Sequence, residues 1–167
     1  MTGLSPNRGL LIAAAAWTSI ALAAAWLPVL VPLWQGAGAL LAALAAADLW
    51  LLLRTPLPQV TRQVQGILPQ GVWCDVRLAL VNAASRALRL DVHDLHPADA
   101  EPQGLPARVE LGPGARATLS YRLKAPSRGV RAFGGCDLRL HSPLGLWARR
   151  RGTALTRSVR VYPNFAE

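Results

Sequence analysis

From Gly9 to Ala47 the chain carries no charged residue, a run of 39 positions. A helix that crosses a bilayer needs about 20 apolar residues, so the run is long enough for two passes. Pro28 and Pro32 stand in its middle. There they would break one continuous helix, because proline lacks the N–H and clashes with the preceding turn. The pattern predicts a transmembrane hairpin: a first helix over about Leu10–Leu27, a turn through Pro28–Gly36, and a second helix over about Ala37–Leu53. Residues 1–54 are then an anchor, and 55–167 a tethered domain.

After Arg54 the period changes from helical to two, the signature of half-buried strands. Val76, Leu78 and Leu80 alternate with Asp75 and Arg77, and Leu88, Leu90 and Val92 with Arg89, Asp91 and His93. The same holds for Val109 and Leu111, for Leu119, Tyr121 and Leu123, for Leu138 and Leu140, and for Val159 and Val161. Val60–Leu68 is expected to be the first strand. Turn-forming residues separate these segments, at Pro69–Gly71, Asn82–Arg86, Pro97–Pro106, Gly112–Gly114, Pro126–Gly129 and Ser142–Gly145. Short strands at this spacing predict an all-β antiparallel sandwich of about seven strands, immunoglobulin-like in plan. Two sheets would face each other, each burying its apolar side.

Charge sets the orientation. Arg8 precedes the first helix, Arg54 and Arg62 follow the second, and the turn between has no charge. Positive residues next to the spans stay on the cytoplasmic side. Both termini and the β-domain are therefore expected in the cytoplasm, on a multi-pass protein of the bacterial inner membrane. A cleaved signal peptide is the competing reading of the first helix, but the apolar run continues past any cleavage site. Trp26, Trp34 and Trp50 stand at the depths of interfacial anchors, with Arg54 beside the last. Small residues are dense on both helices, which permits close helix approach and a homo-oligomer in the membrane. Asp48 is the one acid of the anchor; alone it makes no proton relay, and it is expected to reach water or another helix.

The chain has net charge +9, and 16 of its 18 basic residues lie after Arg54. The excess favours anionic partners, of which the lipid bilayer is the nearest. No recognition motif accompanies the charge, so no nucleic acid is expected. Arg149, Arg150 and Arg151 are the densest positive cluster. They cannot all point inward, and they are candidates for lipid head groups, for an acidic partner face, or for a solvated strand edge. The neighbouring Pro143–Trp147 stretch is apolar for a loop, and Leu144 and Trp147 are expected to fold back on the end of the sandwich; an exposed Trp147 would instead be a recognition anchor at the membrane interface or for a partner.

Catalytic signals are poor. Two cysteines, Cys74 and Cys136, are too few for a disulfide framework and read as free thiols. Asp91, His93, Asp94 and His96 are metal-ligand types, but a strand sends them to opposite faces, so a solvated strand end is expected. Gly134-Gly135 lacks the residues of a phosphate loop and reads as a bulge. No catalytic residue, metal or cofactor is expected.

Three local patterns together resemble the N-terminal part of the bacterial membrane-protein family known as domain of unknown function 58. The first is Val81-Asn82, a turn, then Leu88–Asp94 and Leu95-His96-Pro97. The second is Arg128-Gly129 followed by Gly134. The third is His141-Ser142-Pro143-Leu144-Gly145-Leu146-Trp147, then Arg149-Arg150-Arg151 and Val161-Tyr162-Pro163-Asn164. Paired membrane helices agree with it, so the resemblance covers nearly the whole sequence. Members of that family continue into a domain like von Willebrand factor A, often with a metal site. The 167 residues here end before it and contain no Asp-x-Ser-x-Ser, so that metal chemistry is not carried over. The resemblance implies a fragment, a split gene product or a truncated member, working with a MoxR-type AAA+ ATPase and a von Willebrand factor A-like protein.

The expected function is a membrane-anchored, non-catalytic scaffold that presents a β-sandwich to a partner. The competing class is an enzyme-associated or redox- or metal-sensing subunit using Cys74 and Cys136, or His93 and His96. Convergence of those side chains in one pocket would distinguish the two.

Overall fold

The computed structural model describes residues 3–163; Asn164, the last residue of the Val161–Asn164 motif, lies outside them. Strand β1 (Gly3–Pro6) precedes helix α1 (Arg8–Trp26), a 3-10 turn (Pro28–Leu30) and helix α2 (Val31–Arg54). The remaining strands are β2 (Gln59–Gln63), β3 (Ile67–Pro69), β4 (Trp73–Val81), β5 (Leu88–Asp94), β6 (Glu101–Gln103), β7 (Ala107–Leu111), β8 (Arg116–Lys124), β9 (Gly129–Phe133), β10 (Cys136–His141), β11 (Trp147–Thr153) and β12 (Arg157–Tyr162). The chain divides into two compact units. One comprises Gly3–Thr55 and Leu140–Arg149, and the other Pro56–Arg139 with the described chain from Arg150 onward.

In the helical unit, Asn7 sits in extended backbone and its side chain accepts from the Arg8 N–H, which caps α1. The helix stops at Trp26, before Leu27-Pro28, because the residue preceding a proline is driven out of helical conformation. The turn is much shorter than the sequence predicts. Pro32 lies in the first turn of α2, where the missing N–H would have had no partner, so it starts the helix rather than breaking it. With 19 and 24 residues, the helices are about 28 and 36 Å long at about 1.5 Å per residue. Both are long and apolar enough to cross a membrane. Between them the Trp17 and Trp34 rings stack, centroids 5.5 Å apart, and the Trp17 indole N–H donates to the Trp34 carbonyl at 3.0 Å. Gly38 makes room: a Cβ there would lie 2.7 Å from Trp17 Nε1. Leu11, Ile12, Leu22, Trp26, Leu40 and Leu44 face outward, exposed.

The other unit is a β-sandwich. One sheet has the order β2-β4-β8-β6, a second β3-β12-β9, and β10, β5 and β7 lie side by side in a third. Val76 faces Tyr121 and Leu78 faces Leu119 across β4 and β8. Val76, Leu78, Leu80, Leu90, Val92 and Leu138 are fully buried, as the alternation predicts. Twelve strands are present among the described residues rather than about seven. The expected strand Val60–Leu68 is broken at Val64–Gly66 into β2 and β3, which join different sheets. β1 and β6 are too short to show a period, while β9 and β11 are rich in Gly and Arg and carry no apolar alternation. β2-β4, β4-β8, β6-β8, β5-β7 and β9-β12 pair antiparallel, and β3 runs parallel to β12.

The chain leaves the helical unit after Thr55. Residues 140–149 group with the helical unit.

Candidate functional site

The reason for that regrouping is Asp48. Its side chain is fully buried, and each carboxylate oxygen accepts one backbone N–H: Leu144 at 2.9 Å and Leu146 at 3.2 Å. The expectation that Asp48 reaches water or another helix is corrected here: its partners are the main chain of the Pro143–Trp147 loop. A buried carboxylate needs such donors, because charge without them in a low-dielectric setting is very costly. Trp147 takes the same direction. Its indole N–H donates to the Ala45 carbonyl of α2 at 2.9 Å, so it packs on the helix instead of the sandwich end. Leu144 does not fold back either; it is 56% exposed.

Local sequence builds the loop. Ser142-Pro143-Leu144-Gly145 has the residues a tight turn prefers, serine first, proline second and glycine last. The Gly145 N–H donates to the Ser142 carbonyl at 3.0 Å, and Gly145 has φ +74, a conformation that suits glycine. Ser142 closes the base: its N–H donates to the Trp147 carbonyl, and its hydroxyl accepts from the Trp147 N–H, each at 2.9 Å. The start of α1 joins in, because the Asn7 N–H donates to the Leu146 carbonyl at 2.8 Å.

A second buried polar node lies in the sandwich. Arg62 of β2 sends its guanidinium fork to both oxygens of Asp94 on β5, with Nε to Oδ2 at 2.9 Å. The same guanidinium donates to the Leu155 carbonyl and, at 3.0 Å, to the Gly135 carbonyl, and it lies over the Phe133 ring. The Tyr121 hydroxyl of β8 completes the set, donating to Asp94 Oδ2 at 2.5 Å. Burial, then the hydrogen bond to Asp94, push the Tyr121 hydroxyl far above its usual range. Buried on both sides, the pair fastens the β2-β4-β8 sheet to the sheet of β5. A third node is Asn82, whose amide donates to the carbonyls of Arg86, Leu111 and Gly112 while its oxygen accepts from the Ala84 N–H.

The other candidates from the sequence separate. Asp94 has turned inward to Arg62, whereas Asp91 pairs with exposed Arg108 at 3.0 Å. His93 and His96 meet edge to face at 6.2 Å, and His96 Nδ1 lies 2.9 Å from the Pro97 carbonyl. Among the described residues no three His, Cys, Asp or Glu side chains gather as metal ligands. Gly134 and Gly135 form the link between β9 and β10, not a bulge, and Gly135 is needed because a Cβ there would collide with the Thr153 carbonyl. Cys74 and Cys136 are both free thiols. Cys136 is sealed in the sandwich, and burial followed by the charge of Asp94 pushes it up to about 12. Cys74 is half-buried on the wall of an open groove of about 700 Å³, with Trp73, Arg77 and Arg157. Burial, then Asp75, raise its pKa as well.

The arginine cluster is only partly free. Arg149 donates to the Leu53 carbonyl at the end of α2 at 3.4 Å, and exposed Arg150 pairs with Asp137. Arg151 is half-buried. Trp26 and Trp50 are exposed, and Arg54 lies over Trp50 at 4.3 Å. Trp34 instead faces Trp17 inside the hairpin.

Sequence reasoning missed the partners of Asp48, Arg62 and Asn82. A signal existed for Arg62 and Asp94. Arg62 is in phase with Val60 and Val64, and Asp94 with Leu88, Leu90 and Val92. Two opposite charges, each on an apolar face, require one another.

Fold and sites define a β-sandwich protein with an N-terminal pair of apolar helices, whose buried polar groups hold strands, turns and a loop in place. No protein-family model and no curated protein matches the sequence. Among solved structures, PapD-like domain 7 of human CEP192 is similar at TM-score 0.42 and 13% identity, over 63% of this chain and 86% of that one. A FixG-related protein from Vibrio parahaemolyticus gives TM-score 0.41 and 12% identity, over 62% and 94%. The CARDB domain of a Pyrococcus furiosus protein, solved with di-metal ions, gives 0.40 and 11%, over 65% and 91%. No function is carried over from them.

Proposed function

We propose that this protein is a non-catalytic membrane scaffold. Its helices form a multi-pass hairpin in a bacterial inner membrane with both termini in the cytoplasm, and its sandwich is presented there to a protein partner. The observation that carries the reading is the bonding of the Pro143–Trp147 loop to α2 through Asp48 and Trp147. The loop is thereby fixed to the apolar helices within the helical unit. Among the described residues the chain passes between the two units at Thr55–Pro56, after Arg139 and after Arg149. Such tethering raises the local concentration of one module for another, which is the mechanism of a scaffold. Exposed Arg150 suits an anionic lipid surface, where a basic side chain contributes about 1 kcal/mol.

The partners proposed are a MoxR-type AAA+ ATPase and a von Willebrand factor A-like protein, on the strength of the family resemblance. The test is affinity capture of the tagged full chain from membranes in mild detergent, followed by mass spectrometry. Specific recovery of either protein is the expected result. Recovery of the chain alone, across detergents that preserve other membrane complexes, would remove the scaffold reading.

A further inference from the structure

The Ser142–Trp147 loop has a property that water-facing loops do not need: every backbone N–H it possesses is bonded within the helical unit. Ser142 donates to the Trp147 carbonyl, Gly145 to the Ser142 carbonyl, and Trp147 to the Ser142 hydroxyl. Leu144 and Leu146 donate to Asp48, and Pro143 has no N–H to satisfy. The Trp147 indole N–H is bonded to Ala45. In water, an exposed turn can leave such groups to solvent. In hydrocarbon each unsatisfied group costs several kcal/mol, and irregular backbone is tolerated only where protein satisfies it.

The position of the loop along α2 agrees. Asp48 and Ala45 precede Arg54 by six and nine residues. At about 1.5 Å per residue they lie about 9 and 13 Å inside the end of the helix. At this level α2 presents exposed Leu44, Trp50 and Leu53, and the start of α1 presents exposed Leu11 and Ile12. Leu144, 56% exposed at the tip of the loop, continues that apolar surface. Asn7 and Gly9 tie the loop to the first turn of α1: Gly9 would meet the Gly145 carbonyl at 3.1 Å through a Cβ. Asp48 is then a carboxylate placed in a membrane helix to receive the loop, not an ion pathway.

We propose that the Pro143–Leu146 tip is immersed in the bilayer, a third membrane-embedded element beside the two helices, with Leu144 in contact with lipid. The inference rests on the reading that α1 and α2 span a membrane. It is tested on the full chain reconstituted in vesicles of phosphatidylcholine and phosphatidylglycerol. Nitroxide labels are placed singly at Leu144→Cys, Pro143→Cys, Leu40→Cys and Ser85→Cys in a Cys74→Ser background, Cys136 being buried. Collision rates with oxygen and with a water-soluble nickel chelate are compared.

The label at 85 is expected to behave as in water and that at 40 as in lipid. Those at 143 and 144 are expected on the lipid side, with an oxygen-to-nickel ratio several-fold above that at 85. Water-like labels at both 143 and 144, with a lipid-like label at 40, would overturn the immersion and leave the hairpin standing. A water-like label at 40 would overturn the hairpin and the immersion together.

Discussion

Replacing Arg62 with methionine keeps a long apolar stem in place and removes the guanidinium. Asp94 then retains the Tyr121 hydroxyl as donor, the Leu155 carbonyl loses the guanidinium, and the Gly135 carbonyl keeps only the Leu95 N–H. Asp94 is 0% exposed, so water cannot take over without opening the sandwich. Removing one partner of a buried ion pair costs about 3–5 kcal/mol, because the other charge is left uncompensated. For a sandwich of roughly 110 residues, 1 kcal/mol corresponds to about 4 °C, so Tm should fall by about 12–20 °C.

The reasoning makes a sharper claim through a double-mutant cycle. Asp94→Leu alone should cost a similar amount, since it strands the guanidinium. The double variant Arg62→Met/Asp94→Leu removes both charges and leaves only neutral orphans, the Tyr121 hydroxyl and the Leu155 carbonyl. Neutral groups left unsatisfied cost about 1–3 kcal/mol each, less than a buried charge. The double variant should therefore be about as stable as either single, with a coupling of about 3 kcal/mol. Urea unfolding of the full chain in detergent micelles, followed by near-ultraviolet circular dichroism, measures all four corners. Additive losses, or an Arg62→Met shift below about 3 °C, would refute the assignment of the pair as the clasp between sheets.

Other consequences can be measured on the same preparation. Asn82→Asp replaces the donating amide with an acceptor facing three carbonyls, and should destabilise the sandwich by about 3 kcal/mol, read as a lower urea midpoint. Asp48→Ala removes two charge-assisted hydrogen bonds at about 1.5–3 kcal/mol each. Amide exchange at Leu144 and Leu146 should quicken at least tenfold, while exchange in β4 and β8 should not change. Stability should be complete below pH 9 and fall as pH rises toward 12. The unfolded chain releases the Cys136 proton at its usual 9.0 while the folded chain holds it to about 12, and Tyr121 acts in the same sense. Urea midpoints from pH 8 to 11 test this, and Cys136→Ala should flatten the slope. Gly135→Ala drives a Cβ into the Thr153 backbone and should lower Tm more than Gly66→Ala, which meets open space.

What could be read from the sequence divides along a physical line. Period and composition report one-dimensional information, and they placed both helices and the strands with alternating faces. Strands without alternation escaped: β11 begins Trp147-Ala148-Arg149-Arg150-Arg151, and nothing in that pattern separates an edge strand from a charged loop. Pro32 was misread because a proline breaks a helix at its middle but suits its first turn, and only the position of the helix start decides which. Asp48 stood out as a lone acid in an apolar segment, yet its partners are main-chain N–H groups 96 and 98 residues away, which no side-chain motif encodes. Arg62 and Asp94 were legible in principle, because each charge falls in phase with an apolar face. Which inward charge meets which depends on sheet order, and alternation fixes faces rather than neighbours.

The two buried acids illustrate why a motif search for chemistry points the wrong way in this chain. A catalytic carboxylate needs an open side toward substrate and a proton inventory near neutral pH. Asp94 has all its near space filled by Arg62 and Tyr121, and Asp48 has both oxygens engaged by main-chain donors. Each is therefore a fixed acceptor, whose effect is to select one geometry among many that an apolar contact would tolerate. In the sandwich that geometry is the register between sheets; in the helical unit it is the seat of one loop. For the scaffold proposed above, such uniqueness would matter more than total stability, because a partner surface is useful only if it is always presented in one form. Replacing the Arg62–Asp94 pair with apolar residues should then cost precision as well as stability, visible as broadened amide resonances around Gly135 and Leu155 alongside the fall in Tm.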